Sequence, residues 1–437
     1  MAQQIPFSFL GQGETVATLG SFFMNQENVD STNFDTGAEV TSEGGGPVTD
    51  TGICWSTSPN PTKADNFKSS GGSGLGAFTV DILDAEGLLN ETTYYFRAYA
   101  TNLYGEAYSS QILKNTSYVP FITEWTTTVP NHTIELLKQI GTGDPIDINA
   151  WVDWGDGSAI ENFDGTNIGG SLLNNMNHTY VSAGTYEVKI SGDFSCPKMI
   201  DQDELIEIKQ WGTQPWRQLL GAFRGAHFMN CTATDAPVFN VTELNLRNGL
   251  KSMFRRNTAS GGPFTGNASF GSWDVSGIEN MSEMFYGTSF NQDISSWDVS
   301  SCTNFSYMFR STTFNQDIDG WDVSSGTNFD HMFNGTPFNF DINSWDVSNA
   351  TRMNSMFTGT NATNLTLSSW NLASLEQMGS IFANALFIPT GISLWNISNV
   401  EAISAAFLSV TATIPDITGW DTSSVTNMSG VFQFSNF

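Results

Sequence analysis

The chain has 437 residues, of which 44 are Asp or Glu and only 16 are Lys or Arg, giving a formal net charge of −28. Contacts to phosphate groups require cationic side chains, so this charge excludes nucleic acid and anionic membrane surfaces as expected partners. No run of 18 apolar residues occurs, so no membrane insertion is predicted. The length predicts two to four domains, and the Gly-, Ser-, Thr- and Asn-rich composition favours a β-rich exterior protein.

The first 27 residues alternate apolar and polar side chains, which predicts an N-terminal arm with a docking strand. A disordered terminus is the alternative. The segment lacks the basic start and continuous apolar stretch of a secretory signal.

Residues 28–117 contain short alternating segments separated by Gly, Pro and Asn turns, which predict a β-sandwich. In the segment TYYFRAYATNLYG, Tyr94, Phe96 and Ala98 share one face of a predicted strand. This segment resembles the fibronectin type III modules of bacterial and phage surface proteins.

Residues 118–208 contain WVDWGDG and NHTYVSAGTY, which resemble a polycystic-kidney-disease (PKD) domain, another β-sandwich. Asp153 and Asp156 could be mistaken for metal ligands, but Asp156-Gly157 predicts the hairpin turn that such a module needs. His178 is predicted to pack and to form hydrogen bonds, because no second His or Cys lies at zinc spacing.

Residues 209–262 carry apolar side chains at helical spacing but no regular repeat. We predict an N-terminal cap with one or two degenerate repeats, because terminal repeats must cover the core. Within the predicted loop RRNTASGGPF, the basic pair Arg255-Arg256 is expected to be solvated.

The most regular feature lies between residues 263 and 437. Tryptophans recur every 24 or 25 residues, each followed twelve residues later by Phe: Trp273, Trp297, Trp321, Trp345, Trp370, Trp395 and Trp420 with Phe285, Phe309, Phe333, Phe357, Phe382, Phe407 and Phe432. A period of this length predicts a solenoid, since each repeat needs its neighbours to bury its apolar face. The predicted fold class is thus mainly β and multidomain: two β-sandwiches followed by an α/β leucine-rich-repeat solenoid.

Each repeat divides into two halves. Ile294, Trp297 and Val299 match the L-x-x-L-x-L strand of a leucine-rich repeat, whereas Phe305 and Met308 fall at helical spacing. We therefore predict a strand, a turn and a short helix in each repeat. The usual internal Asn column is replaced by apolar residues, and a different column, Asn291, Asn315 and Asn339, is expected to bond successive return loops.

The segments WDVSGIENMSEMF, FNQDISSWDVS and WDTSSVTNMSGVF resemble the BspA-like leucine-rich repeats of bacterial and viral surface proteins, over residues 264–437. That resemblance implies extracellular adhesion or virion display and brings no catalytic residue. The sequence stops one strand short of a further repeat, so we expect that the natural chain continues or that residues 425–437 dock on another copy or protein; continuation is the favoured alternative.

Strand positions that alternate with the core positions should face outward. They form the candidate binding column Asp298, Asp322, Asp346, Asn371, Asn396 and Asp421. Carboxylates stacked about 4.8 Å apart repel by about 0.9 kcal/mol per pair at the dielectric constant of water. We expect hydrogen bonds from the following turn to offset this repulsion, without a cofactor or metal. The alternative is a row of Ca²⁺ bound by Asp298, Asp322 and Asp346; a host-surface glycan or protein is the candidate ligand.

The four cysteines are too few for a disulfide framework. Cys54 and Cys302 are predicted free and buried, whereas Cys196 and Cys231 either pair or remain free.

No motif for a nucleophilic serine, a zinc protease or a phosphate-binding loop occurs, and only four His are present, so the protein is predicted not to be an enzyme. Exterior-type modules on a chain without a recognisable secretory signal favour a protein that leaves its host by assembly into a virus particle. The predicted function is a non-enzymatic structural and adhesion protein: a fibre or decoration component of a phage virion exterior, attached to other virion or surface proteins through its N-terminal arm, in an oligomer or larger assembly. A bacterial cell-surface adhesin is the alternative, and a polysaccharide depolymerase is the remote one.

Overall fold

The computed structural model describes residues 15–26, 34–82, 92–115, 119–137, 149–164, 176–194, 196–256 and 264–435. The chain divides into two compact parts, Met1–Val119 and Pro120–Phe437, which we call the N-terminal part and the C-terminal part. Residues 1–14 of the predicted arm and 257–263 of the predicted loop lie outside the described residues.

The N-terminal part is built from antiparallel strands. They are β1 (Thr18–Gln26), β2 (Phe34–Ser42), β3 (Asp50–Ser56), β4 (Asn66–Ser69), β5 (Gly76–Ile82), β6 (Thr93–Asn102), β7 (Gly105–Tyr108) and β8 (Ile112–Asn115). One sheet has the order β1-β2-β5; the other has the order β4-β3-β6-β7, and β8 also pairs with β6. The described segment of the predicted arm thus contains β1, which pairs with β2.

The strands of the N-terminal part form because apolar and polar residues alternate along them. In β6, Tyr94, Phe96 and Ala98 are buried, as their shared parity predicts, and they pack with Ile53 and Trp55 of β3.

The C-terminal part begins with a six-stranded sheet of order β12-β11-β14-β9-β15-β17. The elements are β9 (Phe121–Thr127), β10 (His132–Glu135), β11 (Asn149–Asp153), β12 (Glu161–Asp164), β13 (Asn177–Tyr180), β14 (Gly184–Asp193), β15 (Leu205–Gln210), β16 (Pro215–Trp216), β17 (Asn230–Cys231), β18 (Val238–Phe239) and α1 (Val241–Leu246). All neighbours in the sheet are antiparallel except β15 and β17. Two pairs stand apart, the antiparallel β10-β13 and the parallel β16-β18.

The turn between β11 and β12 forms as the sequence predicts. Gly155 and Gly157 have φ angles of +75° and +83°, and the Asp156 side chain accepts the backbone N–H of Ser158 at 3.0 Å. His178 stacks on Trp154 at 4.9 Å between ring centroids, and its Nε2 lies 2.9 Å from an Asp156 carboxylate oxygen. The predicted packing and hydrogen-bonding role of His178 is confirmed.

The predicted strand and short helix within each repeat are not formed. Among the described residues of 273–435, the only assigned helix is a 3₁₀ turn at Ile392–Leu394, after another at Ala268–Ser272, and no strand longer than an isolated bridge occurs. In residues 281–288, the backbone N–H groups alternate between two kinds of acceptor. Some donate to the carbonyl three residues earlier in the same repeat, and the others donate to a carbonyl of the following repeat. A helix would use these N–H groups within the repeat, whereas here half of them join neighbouring repeats.

A left-handed residue recurs at the same point of this alternation in successive repeats. The φ angle lies between +54° and +63° at nine corresponding positions: Gly221, Ser252, Glu283, Tyr307, His331, Ser355, Ser380, Ala405 and Gly430. Only two of the nine are Gly, so neighbouring repeats impose a conformation that non-glycine residues rarely adopt.

The bonds between repeats begin well before the regular sequence period. The N–H of Met199 donates to Ala222, Phe223 donates to Met253, and Phe254 donates to Met284, at 2.8–3.0 Å. The same kind of bond continues to Ser409, which donates to Gln433 at 2.8 Å. We call residues 199–435 the repeat region.

The core of the C-terminal part is one cluster that extends from Phe121 to Val431. Its central feature is a column of nine stacked phenylalanines with 5.6–6.0 Å between adjacent ring centroids: Phe223, Phe254, Phe285, Phe309, Phe333, Phe357, Phe382, Phe407 and Phe432. Beside it, Trp297 stacks on Trp321 at 6.4 Å and Trp321 on Trp345 at 6.5 Å. The Trp321 Nε1–H donates to the Ile294 carbonyl at 3.1 Å, so the column also satisfies polar groups.

The predicted Asn column is confirmed. The side-chain oxygens of Asn291, Asn315 and Asn339 accept the backbone N–H of Asn315, Asn339 and Asn364 at 2.8–2.9 Å. Each bond crosses from one repeat to the next, so the return loops are held at a fixed spacing.

All four cysteines are free and buried, including Cys196 and Cys231. Burial raises the pKa of the Cys54 and Cys302 thiols to about 12. Within the described ranges, no helix combines the length and apolar composition that a membrane crossing needs.

Candidate binding surface

The outward column predicted from the sequence is exposed in the structure. Its residues are Asp298, Asp322, Asp346, Asn371, Asn396 and Asp421. Each follows a buried Trp, and the next residue is buried in every repeat except the last. The repeats therefore present one short polar side chain each, in a row.

Each side chain of this column closes a turn of its own repeat. Its Oδ1 accepts the backbone N–H two residues later at 3.0–3.2 Å in all six repeats. The Ser300 hydroxyl adds a bond of 2.6 Å to Asp298. These bonds, with the hydroxyl contributing most, lower the pKa of Asp298, and Ser348 lowers the pKa of Asp346 in the same way.

The backbone bond of the turn uses the Oδ1 atom of each side chain. Over the described residues, no group of three or more His, Cys, Asp or Glu side chains converges as a metal site would require. The column is therefore a regular array of single acceptors rather than a coordination cage.

A second surface was missed by sequence reasoning. A groove of about 770 Å³ is lined by five cationic side chains, Lys198, Arg224, Arg247, Lys251 and Arg255, together with Glu243 and Glu283. We call it the basic groove. It holds five of the sixteen Lys and Arg residues of the chain and a local excess of three positive charges.

The groove is held by contacts between repeats. The buried Lys198 donates to the Leu220 carbonyl at 2.7 Å, and the Gly221 N–H donates to the Lys251 carbonyl at 2.9 Å. Arg255 pairs with Glu283, whose carboxylate also accepts from the Ser252 hydroxyl at 3.0 Å. Arg247 lies 3.6 Å from Glu243, so both carboxylates of the groove are engaged, and Lys198, Arg224 and Lys251 set its charge.

An aromatic ladder continues from the groove along the repeats. Arg255 and Arg310 lie over the Tyr286 ring at 5.2 Å and 5.3 Å from its centroid. Arg310 also lies 5.4 Å from the Tyr307 ring, which stacks on His331 at 4.4 Å. Burial and the charge of Arg310 lower the pKa of His331, so its ring is neutral at pH 7. We call these five residues the arginine–tyrosine ladder.

The expected solvation of Arg255-Arg256 is wrong for Arg256. It is buried, and its guanidinium donates to the backbone carbonyls of His227 and Met229, the latter at 2.9 Å. Arg256 thus satisfies carbonyls beneath the groove, while Arg255 faces it. Spacing alone did not reveal the groove, because its cations come from three separate segments of irregular repeats.

Comparison with known proteins bears on the repeat region alone. Residues 248–370 and again 351–437 match the family described as Mycoplasma protein of unknown function, DUF285. No curated protein and no solved structure matches the chain. The C-terminal region is therefore similar to a repeat family without an assigned activity, and its function must be argued from geometry.

Proposed function

We propose that the protein is a non-enzymatic structural and adhesion protein, displayed as a fibre or decoration component on the exterior of a phage virion. In this proposal residues 263–437 form a BspA-like leucine-rich-repeat solenoid, and residues 209–262 form its N-terminal cap and degenerate repeats. The strands of residues 28–117 and 118–208 form fibronectin type III-like and PKD-like β-sandwiches that space it from its attachment point.

The continuous phenylalanine column is the observation that carries this proposal. Nine stacked rings and the backbone bonds between repeats give a rigid array whose outward residues recur at fixed intervals. A rigid array presents many copies of a weak contact in register, which raises overall affinity without a deep pocket. This architecture suits attachment to a repetitive surface such as a host glycan coat.

The composition also supports an exterior role. A net charge of −28 keeps copies of the protein apart in solution, and it opposes adsorption to nucleic acid inside a host cell or particle. The sequence resemblances to surface modules favour the same location.

The test is localisation together with adhesion. Antibodies raised against residues 264–435 should label intact particles, and the fluorescent purified protein should bind intact host cells. Labelling of the cell envelope without particles would support the adhesin alternative, and labelling only after permeabilisation would contradict exterior display. Release of oligosaccharides from host polysaccharide would contradict a non-enzymatic function.

A further inference from the structure

We propose that the basic groove and the arginine–tyrosine ladder together bind an acidic polysaccharide, one that carries carboxylate or sulfate groups. The proposal rests on the adhesive function above and names its ligand class. It adds a second set of binding residues to the outward Asp and Asn column.

The first argument is charge distribution. At physiological ionic strength, charges beyond about 8 Å are largely screened, so a ligand in the groove responds mainly to the local excess of three positive charges. Such a concentration of cations is unexpected in a chain with only 16 Lys and Arg. An anionic ligand is the chemistry that it fits.

The second argument is unused hydrogen-bonding capacity. The Nε–H of Arg224, Arg255 and Arg310 is buried with no hydrogen-bond partner among the described residues. Planar guanidinium groups bind carboxylate and sulfate-like oxygens through paired hydrogen bonds.

The third argument is the aromatic surface. Tyr286, Tyr307 and His331 are half-buried, so their rings combine apolar area with polar atoms beside cationic groups. Sugar rings have apolar C–H faces that pack on such surfaces. A small inorganic anion has no such face, so it would need only the basic groove and not the arginine–tyrosine ladder. The ladder therefore favours an acidic sugar chain over free phosphate or sulfate.

Charge density separates a glycan from a nucleic acid. Duplex DNA carries one negative charge per about 1.7 Å and would extend beyond the groove over a protein with a net charge of −28. An acidic polysaccharide with one charged group every one or two sugars keeps fewer charges outside the groove. The same groove can therefore hold the glycan with less repulsion.

The test measures binding of four hexamers to the full chain by calorimetry: a hexauronate, a sulfated hexasaccharide, a neutral hexaglucan and a single-stranded hexanucleotide. We expect at least one acidic hexasaccharide to bind, more weakly at high salt, and the neutral one not to bind. The preferred hexasaccharide distinguishes carboxylate from sulfate recognition.

Variants locate the site. Replacing Arg247→Gln and Lys251→Gln together removes two charges from the half-buried rim, and we expect affinity to fall by at least about tenfold. Tyr286→Leu should lower affinity about threefold or more by removing the ring between Arg255 and Arg310. The matched control is Lys68→Gln in β4, which removes one charge from another half-buried lysine in the N-terminal part and should leave binding unchanged.

Three outcomes would overturn the proposal. They are no binding of either acidic hexasaccharide, equal affinity of the double variant and the parent protein, and tighter binding of the hexanucleotide. Melting curves of each variant exclude misfolding as the cause of lost binding. Exterior display without glycan binding would overturn this proposal alone, whereas glycan binding by a protein absent from any exterior surface would overturn only the proposed function.

Discussion

The sheets of the N-terminal part and the repeat region bury their cores by different routes. In β6, alternate side chains of a single strand reach the core, and its N–H groups pair with the partner strands β3, β7 and β8. In the repeat region, almost no residue lies in an assigned strand or helix, yet Trp, Phe, Met and Ile side chains remain fully buried. There, order comes from repetition: the bond from the Phe285 N–H to the Met308 carbonyl and the stacking of Phe285 on Phe309 have counterparts in the neighbouring repeats.

A destabilising substitution should therefore affect different neighbours in the two regions. A strand in the N-terminal part shares its core with a limited set of neighbours, and its loss weakens that core. A repeat shares its core with the repeat before it and the repeat after it, so a lost ring weakens both interfaces. Substitutions at matched residues of the two regions test this difference.

The largest effect is expected from Trp321→Ala. Trp321 is 3% exposed, stacks on two tryptophans and donates to Ile294, so its loss should cost about 3–5 kcal/mol of unfolding free energy. Limited proteolysis should then cut within residues 297–345 and leave the N-terminal part intact.

Trp55→Ala is the matched comparison, because Trp55 in β3 is also 3% exposed. It should open the N-terminal part and spare the repeats. Identical cleavage patterns for the two variants would show that the parts do not unfold independently.

Left-handed backbone gives the second contrast. Gly359 has a φ angle of +70° with open space around its Cα, so Gly359→Val should cost about 1–2 kcal/mol from backbone strain alone. Gly359→Asn should cost less, because Asn tolerates this conformation and Asn384 adopts it one repeat later. Gly320→Val is the control, since Gly320 is equally open without a positive φ angle. Chemical denaturation measures all three, and equal losses at Gly359 and Gly320 would contradict the strain argument.

The sheet of the C-terminal part supplies a pH-dependent contact. Burial alone would raise the pKa of Asp156, but hydrogen bonds from Ser158 and His178 outweigh it and lower the pKa to about 2. A carboxyl group with a lowered pKa stabilises the fold above its ordinary pKa near 3.8, and this contribution is lost as pH falls toward 2. Asp156→Asn should cost about 1 kcal/mol at pH 7 and flatten the melting temperature between pH 5 and pH 2. An unchanged pH profile would remove Asp156 as its source.

The outward column should show the smallest effect. Asp346→Ala removes the acceptor for the Ser348 N–H and should cost about 0.5 kcal/mol, because the bond is exposed. Asp346→Asn keeps an acceptor oxygen and should cost less at pH 7. Ser348 lowers the pKa of Asp346, so the ionised carboxylate stabilises the fold above its ordinary pKa, and this contribution is lost as the pH falls. Asp346→Asn removes this contribution. A chelator should not change the melting temperature of either protein, and a clear decrease for the parent protein alone would revive the calcium alternative.

Sequence reasoning succeeded where one residue type repeats at one spacing. Regular spacing in the sequence predicts the Trp and Phe columns, the Asn column and the exposed Asp and Asn column. Their places in the structure follow from that period. Parity in β6 likewise predicted which of its side chains are buried.

Sequence reasoning failed where a backbone conformation is not tied to one residue type. Apolar residues such as Phe305 and Met308 satisfy a helical pattern, but the left-handed residue between them, Tyr307, stops a helix and sends alternate N–H groups to the next repeat. Residues as different as Gly221, Glu283 and Ala405 share this conformation, so no residue type marks it. The basic groove was missed for a related reason: it lies where the repeats lengthen and their alignment depends on backbone bonds.

The bonds between Asn side chains and the following repeat also bear on how such a chain can change in length. Asn291 and Asn315 are 24 residues apart, as are Asn315 and Asn339, and each pair is joined by the same bond. A whole interior repeat therefore has the same kind of neighbour on both sides. A duplication or deletion of one such 24-residue segment would restore every contact across the junction, whereas a change of any other length would misalign all of the columns at once. The length of the repeat region is therefore adjustable by one repeat at a time through a single in-frame genetic event, with 6.4 Å between the Trp297 and Trp321 ring centroids of adjacent repeats.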